Sequence, residues 1–256
     1  MPNLKSLAFH AFHHANQPLV LNNVWDAAST AITSDIGVQA VATSSAAMAW
    51  SLGYADGSCL PKDTLISAVT RIMGATTLPV SVDIEDGYSD KPKEVSNLVK
   101  RLAELGVAGI NIEDGASAPK LLVEKIVAIR NSVGKDLFIN ARTDTFLQQL
   151  VPSADMLNTT IERMHTYRNA GANGGFVPGL LDSQKWRVLI SASDMPMNAM
   201  IPSLEYDLRE LWSAGVRRFS TGPYPFINAY SAFGTDAKTF SFDELNCLFK
   251  SAAYKE

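Results

Sequence analysis

Val80-Ser81-Val82-Asp83-Ile84-Glu85-Asp86-Gly87-Tyr88 is the stretch whose reading decides the fold. A short run rich in valine, entered through Pro79, ends abruptly in three carboxylates and a glycine. Two later runs repeat the plan: Gly109-Ile110-Asn111-Ile112-Glu113-Asp114-Gly115 and Leu137-Phe138-Ile139-Asn140-Ala141-Arg142-Thr143-Asp144. A charge where a buried strand ends needs a partner, because desolvating it alone is costly. The repeated pattern predicts parallel strands whose carboxyl ends share one charged site, with a divalent cation and an anionic ligand as the missing partners.

Working outward, apolar runs give eight candidate strands, near 19–23, 39–43, 79–83, 108–112, 137–140, 173–177, 197–200 and 217–220. Helical segments separate them. Residues 92–105 carry Val95, Leu98, Val99 and Leu102, and 118–132 carry Leu121, Leu122, Ile126 and Ile129, at the spacing of one helix face. Alternating strand and helix units imply a parallel sheet covered by helices. Eight of them in 256 residues imply a single α/β domain over 1–256, a (β/α)8 TIM-type barrel with a C-terminal helical extension at 224–256. An open doubly wound sheet is the alternative, but no Gly-x-Gly-x-x-Gly follows the first run. Residues 46–61 form a long insert after the second run, carrying Trp50, Tyr54 and Asp56 with Gly53 and Gly57 as hinges, and are expected to fold over the site.

A hydrophobic fraction of 46% supports a large core, and a net charge of −4 argues against nucleic acid as a partner. No apolar run approaches the roughly 18 residues that span a bilayer, so no membrane partner is expected. Cys59 and Cys247 are too few for a disulfide framework. With no leader-like pattern at the start, a cytoplasmic location is expected.

Asp83 and Glu85 project to one side of an extended segment, Glu113 ends the next strand, and Asp56 lies in the insert. Hard oxygen donors from neighbouring loops suit Mg²⁺, which keeps several waters and takes one or two carboxylates directly. The plainer alternative is that these acids are solvated or cap the following helices. Arg142 can grip a substrate carboxylate with its planar fork, or form an ion pair with Glu113 or Asp144; the two are compatible. Small residues at Thr43-Ser44-Ser45 expose backbone N–H groups that can receive a carboxylate, and Ser220-Thr221-Gly222 can do so for phosphate. No lysine ends a predicted strand, which excludes Schiff-base chemistry; Lys120, Lys125 and Lys135 fall on a helix or its exit. His10, His13 and His14 have metal-compatible spacing but read as an exposed helix face, and His165 as a structural mid-helix residue.

Taken in order, Asn23-Val24-Trp25-Asp26-Ala27-Ala28-Ser29, Thr43-Ser44-Ser45, Leu52-Gly53-Tyr54-Ala55-Asp56, Val82 to Tyr88, Asn111-Ile112-Glu113-Asp114 and Ala141-Arg142-Thr143-Asp144 resemble the isocitrate lyase/phosphoenolpyruvate mutase superfamily, in its phosphoenolpyruvate mutase-like branch. The resemblance runs from about 20 to 222. It implies an enzyme that uses Mg²⁺, or Mn²⁺ in its place, to act on a small 2-oxo or 2-hydroxy carboxylate or a phosphonate through a metal-stabilised enolate, breaking a C–C or C–P bond. By resemblance Asp83 ligates the metal directly, and Asp56, Glu85 and Glu113 hold its waters. Arg142 and the Ser44-Ser45 backbone hold the substrate carboxylate. It also implies a homo-oligomer, a dimer or tetramer in which the helices at 224–256 pack on or exchange with a neighbouring subunit.

The chain departs from that pattern in three places. Glu85 stands where the family usually has aspartate, Pro178 where the mutases have histidine, and residues 115–119 replace the long gating loop. True isocitrate lyase activity is therefore not expected. Tyr88 and a metal-bound water are the candidates for moving protons. The rival reading is a carboxylate-binding protein that kept the metal site and lost turnover with the loop.

Overall fold

Nine short parallel strands pair in the order β1-β9-β8-β7-β6-β5-β4-β3-β2 in a computed structural model that describes residues 3–233 and 239–251. The strands are β1 (Leu19–Leu21), β2 (Asn23–Val24), β3 (Val41–Thr43), β4 (Val80–Asp83), β5 (Gly109–Glu113), β6 (Phe138–Arg142), β7 (Gly174–Phe176), β8 (Met197–Met200) and β9 (Arg218–Ser220). Helices α1 (Leu4–Phe12), α2 (Ala27–Asp35), α3 (Ser45–Ser51), α4 (Lys62–Gly74), α5 (Pro92–Glu104) and α6 (Pro119–Val133) accompany the first six strands. Helices α7 (Met156–Ala170), α8 (Ser183–Ala192), α9 (Arg209–Ser213), α10 (Tyr224–Ser231) and α11 (Phe242–Ser251) complete the set. Among the described residues no helix is long and apolar enough to cross a membrane.

The fold is the expected α/β barrel, with one strand more than predicted because the run at 19–23 divides at Asn22. Its first half pairs with β9 and its second with β3, so this broken strand closes the ring. Asn23 stitches the closure. Its Nδ2 donates to the Thr43 carbonyl at 2.7 Å, while the Thr221 and Gly222 amides both donate to its Oδ1 at 2.9 Å. One buried amide thereby satisfies three backbone groups that the seam would otherwise leave unpaired.

The alternation of each strand sorts its side chains into two environments. Val80, Val82, Ile110, Ile112 and Ile139 pack outward in the apolar layer shared with the helices. The inward positions are polar at mid-barrel: Asn140 Nδ2 donates to Asn111 Oδ1 at 3.0 Å and to Asn198 Oδ1 at 3.3 Å, and Arg218 NH2 donates to Asn111 Oδ1 at 3.0 Å. Two residues further along, the same faces carry Asp83, Glu113 and Arg142 to the carboxyl ends of the strands.

Helix α1 plugs the opposite end with Phe9, 5.6 Å from the Phe138 ring. His13, expected on an exposed face, is buried just past the end of α1 with its ring stacked 3.8 Å from Phe138. His165, expected to be structural, is exposed instead. The 46–61 insert is not a free loop: α3 fills its first half, and Trp50 is buried against Phe226 and Phe242.

Replacing Asn23 with alanine leaves the Thr43, Thr221 and Gly222 backbone groups without this partner, at an expected cost of about 3 kcal/mol. Urea denaturation measures it; a loss of less than about 1 kcal/mol would show that the seam does not depend on this side chain.

Candidate active site

The carboxyl ends of β4, β5 and β6 supply the first three charged groups, as Asp83, Glu113 and Arg142 are the last residues of those strands. Strand register sets Glu113 beside Arg142, whose NH1 lies 2.6 Å from Glu113 Oε2. The Nε and NH2 of Arg142 donate to Asp144 Oδ1 and Oδ2 at 2.6 and 2.9 Å. Both ion pairs considered for Arg142 are therefore formed at once. Burial alone would lower the Arg142 pKa; Glu113 and Asp144 outweigh it and keep the guanidinium charged.

Asp83 Oδ2 accepts from Ser45 Oγ at 3.2 Å, and Asp83 Oδ1 accepts from the Glu85 amide at 3.3 Å. The insert brings in Asp56 alongside Glu85, because the next two amides, Gly57 at 3.1 Å and Ser58, both donate to Glu85 Oε2. The second half of this segment therefore lies against Glu85 through its own backbone. Asp114 is held elsewhere, accepting from Thr143 Oγ1, Arg163 NH1 and the Tyr167 hydroxyl at 2.8, 2.7 and 2.5 Å. The turn after it closes tightly, with the Ser117 amide on the Asp114 carbonyl at 2.8 Å, and α6 begins at Pro119. Glu113 and Arg142 each keep 16% of their side-chain surface exposed.

Two backbone cradles read from the sequence are already occupied. The Ser44 amide donates to the Val24 carbonyl at 3.0 Å, which leaves Ser45 as the member of the pair facing the carboxylates. The amides of Thr221 and Gly222 are spent on Asn23, so the expected phosphate cradle is closed.

Burial is the largest cause of raised pKa at all four candidate metal ligands, and repulsion from neighbouring carboxylates adds to it at Asp56, Glu85 and Glu113. Asp56 moves from 3.8 to about 6 and Glu85 from 4.5 to about 7, while Asp83 and Glu113 also rise. Tyr88, partly buried with its hydroxyl enclosed beside Glu85, is held well above 10.0 by burial and then by that carboxylate. The backbone is strained in the same region. Ser58, Glu85 and Tyr88 have φ of 61°, 50° and 58°, a region that bulky residues avoid unless their surroundings enforce it. Gly87 has no such freedom to change, since an added Cβ would lie 2.7 Å from Val95 Cγ1.

Lys125 is the residue that sequence reasoning passed over. It is 2% exposed, and its Nζ donates to the Asp86 carbonyl at 2.7 Å, bracing the strained turn from α6. The available signal was its place among Leu122, Ile126 and Ile129 on the buried face of that helix.

Three buried oxygens, Asp56 Oδ1, Glu85 Oε1 and Glu113 Oε2, make no hydrogen bond, the last having only its charge contact with Arg142. Among the described residues no three such side chains converge tightly enough to enclose an ion directly. A donor set of separated, unsatisfied carboxylates fits a divalent cation that retains much of its water. The sign of the coupling to folding follows. Asp56 and Glu85 bind protons more tightly when folded, so their contribution is present below about pH 4 and lost as pH rises toward about 7. Thermal melts in chelator should show that loss across this window, and Mg²⁺ should raise the melting temperature more at pH 8 than at pH 5. An equal Mg²⁺ effect at both pH values would contradict the assignment.

The sequence profile of phosphoenolpyruvate phosphomutase matches residues 9–241. An uncharacterized protein of Mycobacterium tuberculosis is 36% identical over 255 residues, covering 98% of this chain and 94% of its own. Oxaloacetate decarboxylase 2 of Pseudomonas putida is 30% identical over 224 residues, covering 81% of this chain and 71% of its own. A crystal structure from Burkholderia cenocepacia J2315, provisionally named a phosphonomutase, superposes with a TM-score of 0.85 at 37% identity, over 90% of this chain and 97% of that one. The chain belongs to the phosphoenolpyruvate phosphomutase family, within the phosphoenolpyruvate mutase/isocitrate lyase superfamily of enzymes that act on small carboxylates.

Proposed function

We propose that the chain is a Mg²⁺-dependent lyase or decarboxylase of a small 2-oxo carboxylate, breaking a C–C bond. The observation that carries this reading is the anion-binding inventory at the strand ends. Arg142 stands at the ring, while the Thr221 and Gly222 amides that would suit a phosphonyl group are bonded to Asn23. The likeness to an oxaloacetate decarboxylase supports the same choice.

Asp83 would hold the cation, with Asp56, Glu85 and Glu113 on its waters; so placed, the ion supplies Lewis-acid polarisation of the 2-oxo group. Arg142 binds the substrate carboxylate, and Ser45 keeps Asp83 oriented. When CO₂ leaves C3, its bonding pair becomes conjugated with the 2-oxo group, and a proton must then reach C3. The Tyr88 hydroxyl beside Glu85 is a donor for it, protonated at neutral pH like any phenol and made a weaker acid by burial. The short turn at 115–117 offers no long loop to close over the site, and we infer an open mouth that admits water, weakens electrostatic stabilisation and favours modest turnover. That same opening favours a second reading, binding without turnover.

Calorimetry with oxalate and pyruvate, run beside turnover of oxaloacetate and isocitrate, separates the two. The expected result is Mg²⁺-dependent release of CO₂ from oxaloacetate, no cleavage of isocitrate, and loss of Mg²⁺-dependent ligand binding in Asp83→Ala with the fold intact. Binding with no turnover selects the second reading, and unchanged binding in Asp83→Ala overturns the metal assignment.

The segment at 224–256 is proposed to pack against a second copy in the cytoplasm, supported by Tyr230 and Phe233, which are 44% and 88% exposed. Light scattering at micromolar concentration should give a dimer or tetramer; a monomer would contradict it.

A further inference from the structure

One side chain of the last helix reaches the acidic cluster. Asn246, on α11, is 9% exposed, and its Oδ1 accepts from Trp50 Nε1 at 3.1 Å and from the Asp56 amide at 2.7 Å. Both partners are donors, which fixes the orientation of the Asn246 amide. The amides of Gly57 and Ser58 then converge on Glu85 Oε2. Three consecutive backbone N–H groups are thus held, one by Asn246 and two by Glu85. Asp56 Oδ1 and Glu85 Oε1 remain buried without a partner beside them.

The surroundings make an asparagine unexpected at this place. Leu245, its neighbour on α11, packs in an apolar cluster with Ala46, Ala47, Trp50, Phe226 and Ile227. Burying an amide in such a cluster is unfavourable unless its bonds are made, and then it specifies one arrangement over others. The arrangement specified is the seat of α3, which begins at Ser45 against Asp83, together with the loop that presents Asp56.

We propose that Asn246 is a positioning residue of the active site. By holding the Asp56 amide, α11 sets where the Asp56 and Glu85 carboxylates stand, and through them how tightly the ring holds a divalent cation. The proposal rests on the cation reading of the ring given above. Asn246 itself touches neither the cation nor the substrate. A merely structural role, joining Trp50 to α11, would affect stability alone.

The test uses the full chain as Asn246→Ala and Asn246→Asp, with three readouts: melting temperature, Mg²⁺ affinity by calorimetry, and hydrogen exchange at the amides of 56–58. In Asn246→Ala, exchange at the Asp56 amide should accelerate, and Mg²⁺ should bind roughly tenfold more weakly, the usual scale for losing an outer support of a metal site. Asn246→Asp keeps an acceptor oxygen and should return both toward the wild-type values. Should the cavity left by alanine unfold the chain, Asn246→Leu fills the same space without an acceptor and should show the same losses. Unchanged Mg²⁺ affinity in the acceptor-free variant, with wild type binding normally, overturns the proposal and leaves the cation reading standing. A wild-type chain that takes up no Mg²⁺ overturns the cation reading itself and the proposal with it.

Discussion

Carboxylates outnumber cations at the open end of this barrel, and the rest of the structure is arranged around that imbalance. Asp56, Asp83, Glu113 and Asp144 gather about the Arg142 guanidinium, which is already shared between Glu113 and Asp144, and Glu85 stands beside Asp56 and Asp83. Burial raises the proton affinity of the four candidate metal ligands, and neighbouring carboxylates raise it further at Asp56, Glu85 and Glu113. Packing alone would not retain such a cluster, since unpaired buried charges destabilise a fold. A divalent cation, as proposed for this site, would resolve the conflict, and the chemistry assigned to the site and the stability of its fold would then depend on the same charge.

The scaffold spends its polar groups on holding this cluster in place. Asn23 closes the ring, an amide belt of Asn111, Asn140 and Asn198 fills the mid-barrel, and the charged residues stand one layer above. Lys125 braces the turn after β4 from behind, while the amides of Gly57 and Ser58 fix Glu85 from the side. Strained φ values at Ser58, Glu85 and Tyr88 fall on these supports, where neighbouring bonds can enforce them. The turn at 115–117 is the exception: it is short, and it supplies no long loop that could close over the cluster to exclude water.

Much of this was legible in the residues. The two-residue period of Val80 to Asp83 and Gly109 to Glu113 fixes which side chains face inward, and the strand ends then place the carboxylates together. What escaped were contacts between distant residues that leave no local signature. The split at Asn22 depends on β1 and β2 having different neighbours, and the Asn23 bonds that seal it reach 198 and 199 residues along the chain. The amides of Ser44, Thr221 and Gly222 look available in a small-residue turn until tertiary partners consume them. Lys125 looked like any helical lysine, because a polar group in an apolar stripe reveals its role only through the partner it meets.

Anomalous diffraction from crystals soaked in Mn²⁺ tests the central claim most directly. The account predicts one peak within bonding distance of Asp83, flanked by Asp56, Glu85 and Glu113, with Asp144 still paired to Arg142. An ordered, empty ring at saturating Mn²⁺, or a peak centred on Asp114 or Asp144, would contradict it.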